Sequence, residues 1–346
     1  MSDDHATPDT PQQPSGRKRR HQGRQWVLLL LLWACAVPVG WLWMRNDYRA
    51  KCERLTAQAR QRAGGTDLEW IGPPWLRDLV GNDPFRNVVG LTLPGDADDD
   101  FLRVYVKPVT TLRKVWVGGP RVTDAGVAHL AELTRLEEVI LCKTRLTDQG
   151  VVRLAQLRKL RRLNLSYTRV TDEGLKSLAG LTGLEFLALG DTPITSAGLE
   201  HLRGLSRLRA LSLPNTRLDD AGLAHLSGLG RLEDLTLDGT GISDAGLASL
   251  EGLSHLKALR LGGTKITDRG LPHLEALPEL ETLDLRLTGI SDAGLEDLTR
   301  LPKLRYLWLA GTQTSDEALA ALSQARPDLW IDRHQPRGRF GERPVE

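Results

Sequence analysis

From Leu112 onward, apolar residues recur in columns 24 positions apart. Leucine occupies positions 112, 136, 160, 184, 208, 232, 256, 280 and 304, giving nine in-phase units that run through Pro327. Three positions after each leucine stand Val115, Val139, Leu163, Leu187, Leu211, Leu235, Leu259, Leu283 and Leu307. Two positions further come Val117, Leu141, Leu165, Leu189, Leu213, Leu237, Leu261, Leu285 and Leu309. Such alternation predicts a short strand with those side chains turned inward. The period then changes: in the third unit Gly174, Leu175, Leu178 and Leu181 follow Asp172 at the spacing of one helix face. One strand and one helix per unit predict stacked repeats, each burying an apolar face that it cannot bury alone. A degenerate unit starts at Val88, with Leu91 and Leu93 in phase, until the DADDD run at 96–100 breaks the pattern. Beyond Pro327 only Ile331 keeps the register, which predicts a ragged edge strand; the repeat domain is assigned to residues 88–331.

Two polar columns accompany the apolar ones. Aspartate stands at 124, 148, 172, 220, 244, 268, 292 and 316, with Ser196 replacing it once. At the start of a predicted helix these side chains are expected to satisfy its free N–H groups and complement its dipole. Threonine at 144, 168, 192, 216, 240, 264, 288 and 312 follows each strand, where its hydroxyl can bond the backbone of a tight turn. A catalytic threonine would be singular, so eight copies argue for structure.

The N-terminal quarter reads differently. Residues 1–25 form a basic tail, with RKRR at 17–20, and are expected to be disordered. Residues 26–44 carry no charge over 19 positions and would span about 28 Å as a helix, enough for a bilayer core. Trp26, Trp41 and Trp43 near the ends suit the interfacial belts. A cleaved signal peptide, ending at Ala34-Cys35-Ala36, is the alternative to an uncleaved anchor. The basic residues ahead of the span favour a cytoplasmic N-terminus and an exported body. Residues 45–65 read as a helical stalk, 66–87 as a helical N-terminal cap over the first strand edge, and 332–346 as a disordered tail.

The recurring LxxLxLxxTxVTDxGLxxLxxL resembles the leucine-rich repeat family, in particular its helix-bearing, ribonuclease-inhibitor-like subclass with 24-residue units. Threonine stands where many members have asparagine or cysteine in the turn ladder. The resemblance covers 88–331 and implies an α/β fold: a right-handed solenoid with a curved parallel sheet on the concave side and short helices on the convex side. With the basic tail and the span at 26–44, the whole chain is similar to single-pass membrane-anchored repeat proteins of planctomycete bacteria.

Composition narrows the function. The 46 Lys and Arg against 44 Asp and Glu leave no phosphate-neutralising excess, which argues against nucleic acid as a partner. Three scattered cysteines make neither a disulfide framework nor a zinc site. Gly118-Gly119 and Gly262-Gly263 lack the GxGxxG or GxxxxGK context of a nucleotide loop, and no cofactor is expected. His129, His201, His225 and His273 share one helix position without a further ligand pattern, so no metal is expected either.

Function is therefore sought where the repeats vary, on the exposed strand positions two, four and six residues after each opening leucine. The candidates are Trp116, Glu138, Arg162, Asn164, Phe186, Asp234, Asp238, Arg260, Asp284, Arg286, Tyr306 and Trp308. Tyr306 and Trp308 form an aromatic end, about 38 Å from Trp116 at ordinary strand spacing. Between them lies a charged centre in which Arg260 and Asp284, on neighbouring strands, are expected to pair. Asp238 and Asp284 are expected about 10 Å apart, wide for a hydrolytic acid–base pair and with no enclosed pocket around them. The reading is a non-catalytic, membrane-anchored binding module whose concave face takes a protein, or a polysaccharide such as peptidoglycan, with residues 26–44 contacting lipid. A tethered intracellular scaffold and a carboxylate hydrolase are the alternatives.

Overall fold

A strand of three residues can close a core if its middle side chain is buried and the stack repeats it. In this protein each unit does so. The computed structural model describes residues 65–70, 86–93 and 95–333. The basic tail, the apolar span at 26–44, the stalk up to residue 64 and the tail from 334 lie outside the described residues. Among the described residues no helix is long and apolar enough to cross a membrane.

Among the described residues twelve strands form one sheet in chain order: β1 (Gly65–Trp70), β2 (Arg86–Thr92), β3 (Lys114–Trp116), β4 (Glu138–Ile140), β5 (Arg162–Asn164), β6 (Phe186–Ala188), β7 (Ala210–Ser212), β8 (Asp234–Thr236), β9 (Ala258–Arg260), β10 (Thr282–Asp284), β11 (Tyr306–Trp308) and β12 (Trp330–Asp332). From β2 to β12 the pairing is parallel and the columns stay in register, as with Leu163 opposite Leu187 and Asp284 opposite Trp308. β1 is antiparallel to β2. The expected helical cap thus contains a strand, because backbone pairing satisfies the open N–H and C=O row of a first strand directly. At the other end β12 reaches Asp332, so the predicted edge strand forms and takes in the first residue assigned to the tail.

Leu112, Leu136, Leu163, Leu187, Leu211, Leu235, Leu259 and Leu283, with their helical partners Leu175, Leu199, Leu223 and Leu247, are at most 1% exposed. Truncating one such leucine in a packed core costs about 2–5 kcal/mol. The turn threonines from Thr144 to Thr288 are buried too and Thr312 is half-buried, and each donates its hydroxyl to the carbonyl three residues back, as from Thr144 to Leu141 at 2.8 Å. A helical turn follows in each unit, most regular at Asp124–Leu130, Asp148–Leu154 and Asp172–Leu178. The DADDD run shifts the pattern by one residue: Asp98 caps a helical turn at Asp99–Phe101, and Asp99, out of phase with the later column, makes the bonds to Thr123 that Asp124 and Asp148 make in later units.

The aspartate column does not cap its own helices. In most units the preceding residue does this, as Thr147 accepts the Gln149 N–H at 3.3 Å, whereas Thr195 and Ser243 make no such bond. Each aspartate reaches forward into the next unit. Asp124 accepts the Thr147 N–H at 2.8 Å, the Thr147 hydroxyl at 2.6 Å and the Gly150 N–H at 3.1 Å. Asp148 holds Thr171, Asp172 holds Thr195, Asp220 holds Ser243 and Asp244 holds Thr267 in the same way. The physical reason is donor supply: a capping hydroxyl still has a hydrogen to give, and a carboxylate one repeat away can accept it together with a backbone N–H. Where Ser196 replaces aspartate, the next cap is Asp219 and the rung reverses. Ser196 donates its hydroxyl to Asp219 at 2.6 Å and accepts the Asp219 N–H at 2.9 Å. That hydroxyl holds the Asp219 carboxyl below its usual range.

This ladder explains the glycine two residues after each aspartate. A Cβ on Gly174 would lie 2.5 Å from Asp148 Oδ1, and one on Gly198 2.2 Å from Asp172 Oδ1. Ala318 is where the column carries a side chain. There the Ser315 hydroxyl turns to its own helix, accepting the Ala318 N–H at 3.1 Å, and Asp292 accepts the Ser315 N–H alone of the two donors.

Candidate binding face

The parallel register lines up side chains across strands, so the variable face divides into rows. One row runs Asp234, Ala258, Thr282, Tyr306, Trp330, and the next Thr236, Arg260, Asp284, Trp308, Asp332. Two clusters stand out, separated by the small residues Ala188, Ala210 and Ser212.

The first cluster spans β3 to β6. The Trp116 indole donates to Glu138 Oε1 at 3.0 Å, Arg162 approaches the same oxygen at 3.8 Å, and the Arg162 guanidinium lies 4.5 Å from the centre of the Phe186 ring. Trp116 remains 44% exposed. Asn164 accepts the Ser166 N–H at 2.9 Å, which commits its carbonyl oxygen to a local turn.

The second cluster spans β8 to β12. Tyr306 and Trp308 stack with ring centres 6.4 Å apart, and Trp330 meets Trp308 edge-on at 5.5 Å and Tyr306 at 6.3 Å. Trp330 was missing from the sequence-based candidates, although it stands two dozen residues after Tyr306. The loss of leucine at 328 hid the register that would have pointed to it.

The charged centre differs from the expected pairing. The partner of Asp284 is Arg286 on the same strand end, not Arg260 across the sheet: the Arg286 Nε donates to both carboxylate oxygens, at 2.8 and 3.0 Å, and its Nη2 and backbone N–H add two more bonds. Residues two apart share a face, and the in-plane N–H fork of a guanidinium can meet a carboxylate beside it edge-on. Both are buried, at 2% and 6% exposure, so neither is the open surface charge expected of it. Asp238 accepts the Gly262 N–H at 2.8 Å. The point where a Gly262 Cβ would stand is 2.7 Å from Asp238 Oδ1 and 3.6 Å from Asp284 Oδ1, so the two carboxylates are nearer than the ~10 Å of two strand spacings.

Burial, and then the Asp284 carboxylate, push the Asp238 carboxyl from 3.8 up to about 6, against the Gly262 N–H and the charges of Arg260 and Arg286. Between these values the folded chain holds a proton that the unfolded chain has released. Stability contributed here therefore falls as pH rises through that window. Denaturant midpoints measured from pH 4 to 7 should show this slope, at most ~1.4 kcal/mol per pH unit, and Asp238→Asn should remove it. Chemically, Asp284 is a counter-ion locked to Arg286 and not a base open to water. Among the described residues no group of three His, Cys, Asp or Glu side chains could hold a metal.

A further column borders the face. Lys143, Tyr167, Asp191, Asn215 and Leu287 all have positive φ, in phase with Gly119, Gly239, Gly263 and Gly311. Four glycines at one phase of the repeat were the sequence signal for this left-handed turn. Asparagine and aspartate tolerate it, whereas leucine does so at a cost of about 1–2 kcal/mol. Leu287 has φ 56° and is 56% exposed beside the Asp284–Arg286 pair. Strain of this kind is retained where a side chain serves a surface. Leu287→Gly should raise the unfolding free energy by about 1 kcal/mol in denaturant titration, while removing an apolar contact from the face.

A family model described as a leucine-rich repeat region matches residues 128–326. No curated protein matches the chain. Similar solved structures include an internalin (inlF) from Listeria monocytogenes, at 19% identity over 76% of this chain and 94% of that one with a TM-score of 0.38. Internalin C2 from Listeria monocytogenes has 26% identity over 61% and 76%, with a TM-score of 0.40. The plant peptide hormone receptor RGFR1 in complex with RGF2 has 15% identity over 70% and 43%, with a TM-score of 0.44.

Proposed function

Because the chain belongs to the leucine-rich repeat family, we propose that it is a non-catalytic binding module that holds a protein ligand against its exposed sheet face. The observation that carries this reading is the division of the chain. The columns that build the wall are uniform and buried, whereas the sheet face gathers Tyr306, Trp308 and Trp330 beside a charged centre. Aromatic side chains half-exposed on a rigid scaffold are the usual anchors of an interface. The apolar span at 26–44 supports a membrane anchor, and the basic residues before it support an exported repeat domain.

Selection of random displayed peptides on the full chain in lipid nanodiscs tests the binding role. Enrichment of peptides that compete with one another, and lose binding on Trp308→Ala, supports it. Recovery of no peptide, or of peptides indifferent to every substitution on the sheet face, contradicts it. Protease accessibility in intact and permeabilised cells tests the topology: digestion of the repeats that begins only after the cytoplasm is opened would place them on the other side.

A further inference from the structure

Two columns of charge run along the stack on opposite plans. One residue after each opening leucine, Arg161, Glu185, Arg209, Glu233 and Lys257 alternate in sign from unit to unit. Neighbours there pair: Arg161 with Glu185, Arg209 with Glu233 at 2.6 Å, and Lys257 with Glu233 at 3.2 Å. Nine residues after the opening leucine the charges have one sign. Arg121, Arg145, Arg169, Arg217 and Lys265 stand there, all exposed, with Pro193 and Gly241 in the gaps. Lys143 adds a sixth exposed cation two residues before Arg145, its ammonium 5.4 Å from the centre of the Tyr167 ring. Among the described residues none of the six has a carboxylate within ion-pair reach.

Backbone bonds fix this line. Arg145 donates its N–H to Val122, Arg169 to Leu146 and Arg217 to Ile194, each at 2.9 Å, and Lys265 to Ile242 at 2.8 Å. Like charges held one rung apart, about 4.8 Å, oppose folding instead of supporting it. Asp124, Asp148 and Asp172, three residues further on, do not pair with them, because both oxygens of each carboxylate serve the cap of the next unit. Arginine and lysine also carry their charge further from the backbone than aspartate does, so an approaching surface meets the cations first.

We infer that this flank of the repeats rests on anionic lipid headgroups, with Arg121, Lys143, Arg145 and Arg169 making the closest approach. The inference rests on the proposed membrane anchor and adds the surface that the repeats turn toward the bilayer. The distribution of charge along the stack selects the partner. Four of the six cations fall in the first three regular units, those next in chain order to the apolar span, and only residues 45–64 lie between that span and β1. The last two regular units, with Gly289 and Gln313 at this position, carry none. The spacing agrees, since cations on adjacent rungs at first and on every second rung later suit mobile headgroups that move to each charge. A polymer of fixed repeat would call for a uniform column. Each basic side chain at an anionic lipid surface strengthens attachment about fivefold.

Phenylglyoxal, a neutral arginine reagent, tests the contact on the full chain in nanodiscs of phosphatidylcholine alone or with about a third phosphatidylglycerol, each arginine being followed by peptide mass mapping. Arg121, Arg145 and Arg169 should react about fivefold more slowly in the anionic discs. Arg207 and Arg231, exposed outside this column, should react at the same rate in both. The difference should vanish in about 1 M salt, where screening reaches about 3 Å. Arg145→Gln combined with Arg169→Gln should return Arg121 to its unprotected rate, and the comparison of the two discs on the natural chain stands whatever the variant does. Equal rates for a chain retained by both discs overturn the inference and leave the anchor intact. Protection that appears only on adding polyglutamate assigns the flank to an acidic protein and also overturns it. Retention by anionic discs alone, released by salt, would remove the anchor and support the flank contact. A chain retained by neither disc overturns both.

Discussion

Gly174→Ala should lower the unfolding free energy by about 2–3 kcal/mol, although glycine to alanine within a helix normally stabilises. The added methyl would stand 2.5 Å from Asp148 Oδ1 and 2.7 Å from Val170 Cγ1. The carboxylate must then withdraw from the Thr171 N–H and hydroxyl that it holds at 2.8 and 2.7 Å. Two partly buried donors lose their acceptor, and one of the contacts that tie consecutive units together is opened. Ala318 shows the relaxed form of this state, with the hydroxyl of Ser315 redirected to its own helix. Gly228→Ala is the control: nothing lies within 4 Å of its added Cβ, and a small gain in stability is expected. Combining Gly174→Ala with Asp148→Ala should cost less than the sum of the two, because both disrupt the same rung. Denaturant titration of the four chains measures this directly.

The second large effect is on binding. Trp308→Ala should weaken a selected peptide ligand by about 2–4 kcal/mol, some thirty- to a thousandfold, with folding preserved. Trp308 sits at the centre of the aromatic trio, stacked on Tyr306 and met edge-on by Trp330, and its register partner on β10 is the buried Asp284. Its removal takes away the flat apolar surface that Tyr306 and Trp330 pack against. Trp116→Ala, at the far end of the sheet, should leave the same ligand nearly unaffected. Titration calorimetry with a selected peptide separates the two sites, and the melting profile of each variant reports folding.

Much of the fold is legible in the chain because every unit restates it. Leu163 and Leu165 are the third copy of one strand, and nine in-phase copies leave little freedom for any other element. What a periodic sequence hides is direction. Asp148 lies one residue after Thr147 and 23 before Thr171, and phase alone cannot say which of these its carboxylate serves. The forward reach became visible only with Gly174, whose missing Cβ marks the path of that carboxylate. The cap was illegible for the opposite reason: residues 65–70 belong to no column, so nothing in the spacing marked them as a strand. On the face, the rows followed from the period, but the pairing did not. Asp284 can meet Arg260 across the sheet or Arg286 two residues on, and the forked hydrogen bonds of the guanidinium decide for Arg286.

The central claim, a binding wall that does no chemistry, is tested most directly by hydrogen exchange on the full chain with a selected ligand, followed by the mass of the recovered ligand. The account predicts slowed exchange at the strand ends and following turns of β8 to β12, unchanged exchange in the helical turns behind them, and a ligand of unaltered mass. Slowing confined to the helical side, or a ligand recovered cleaved, would contradict it.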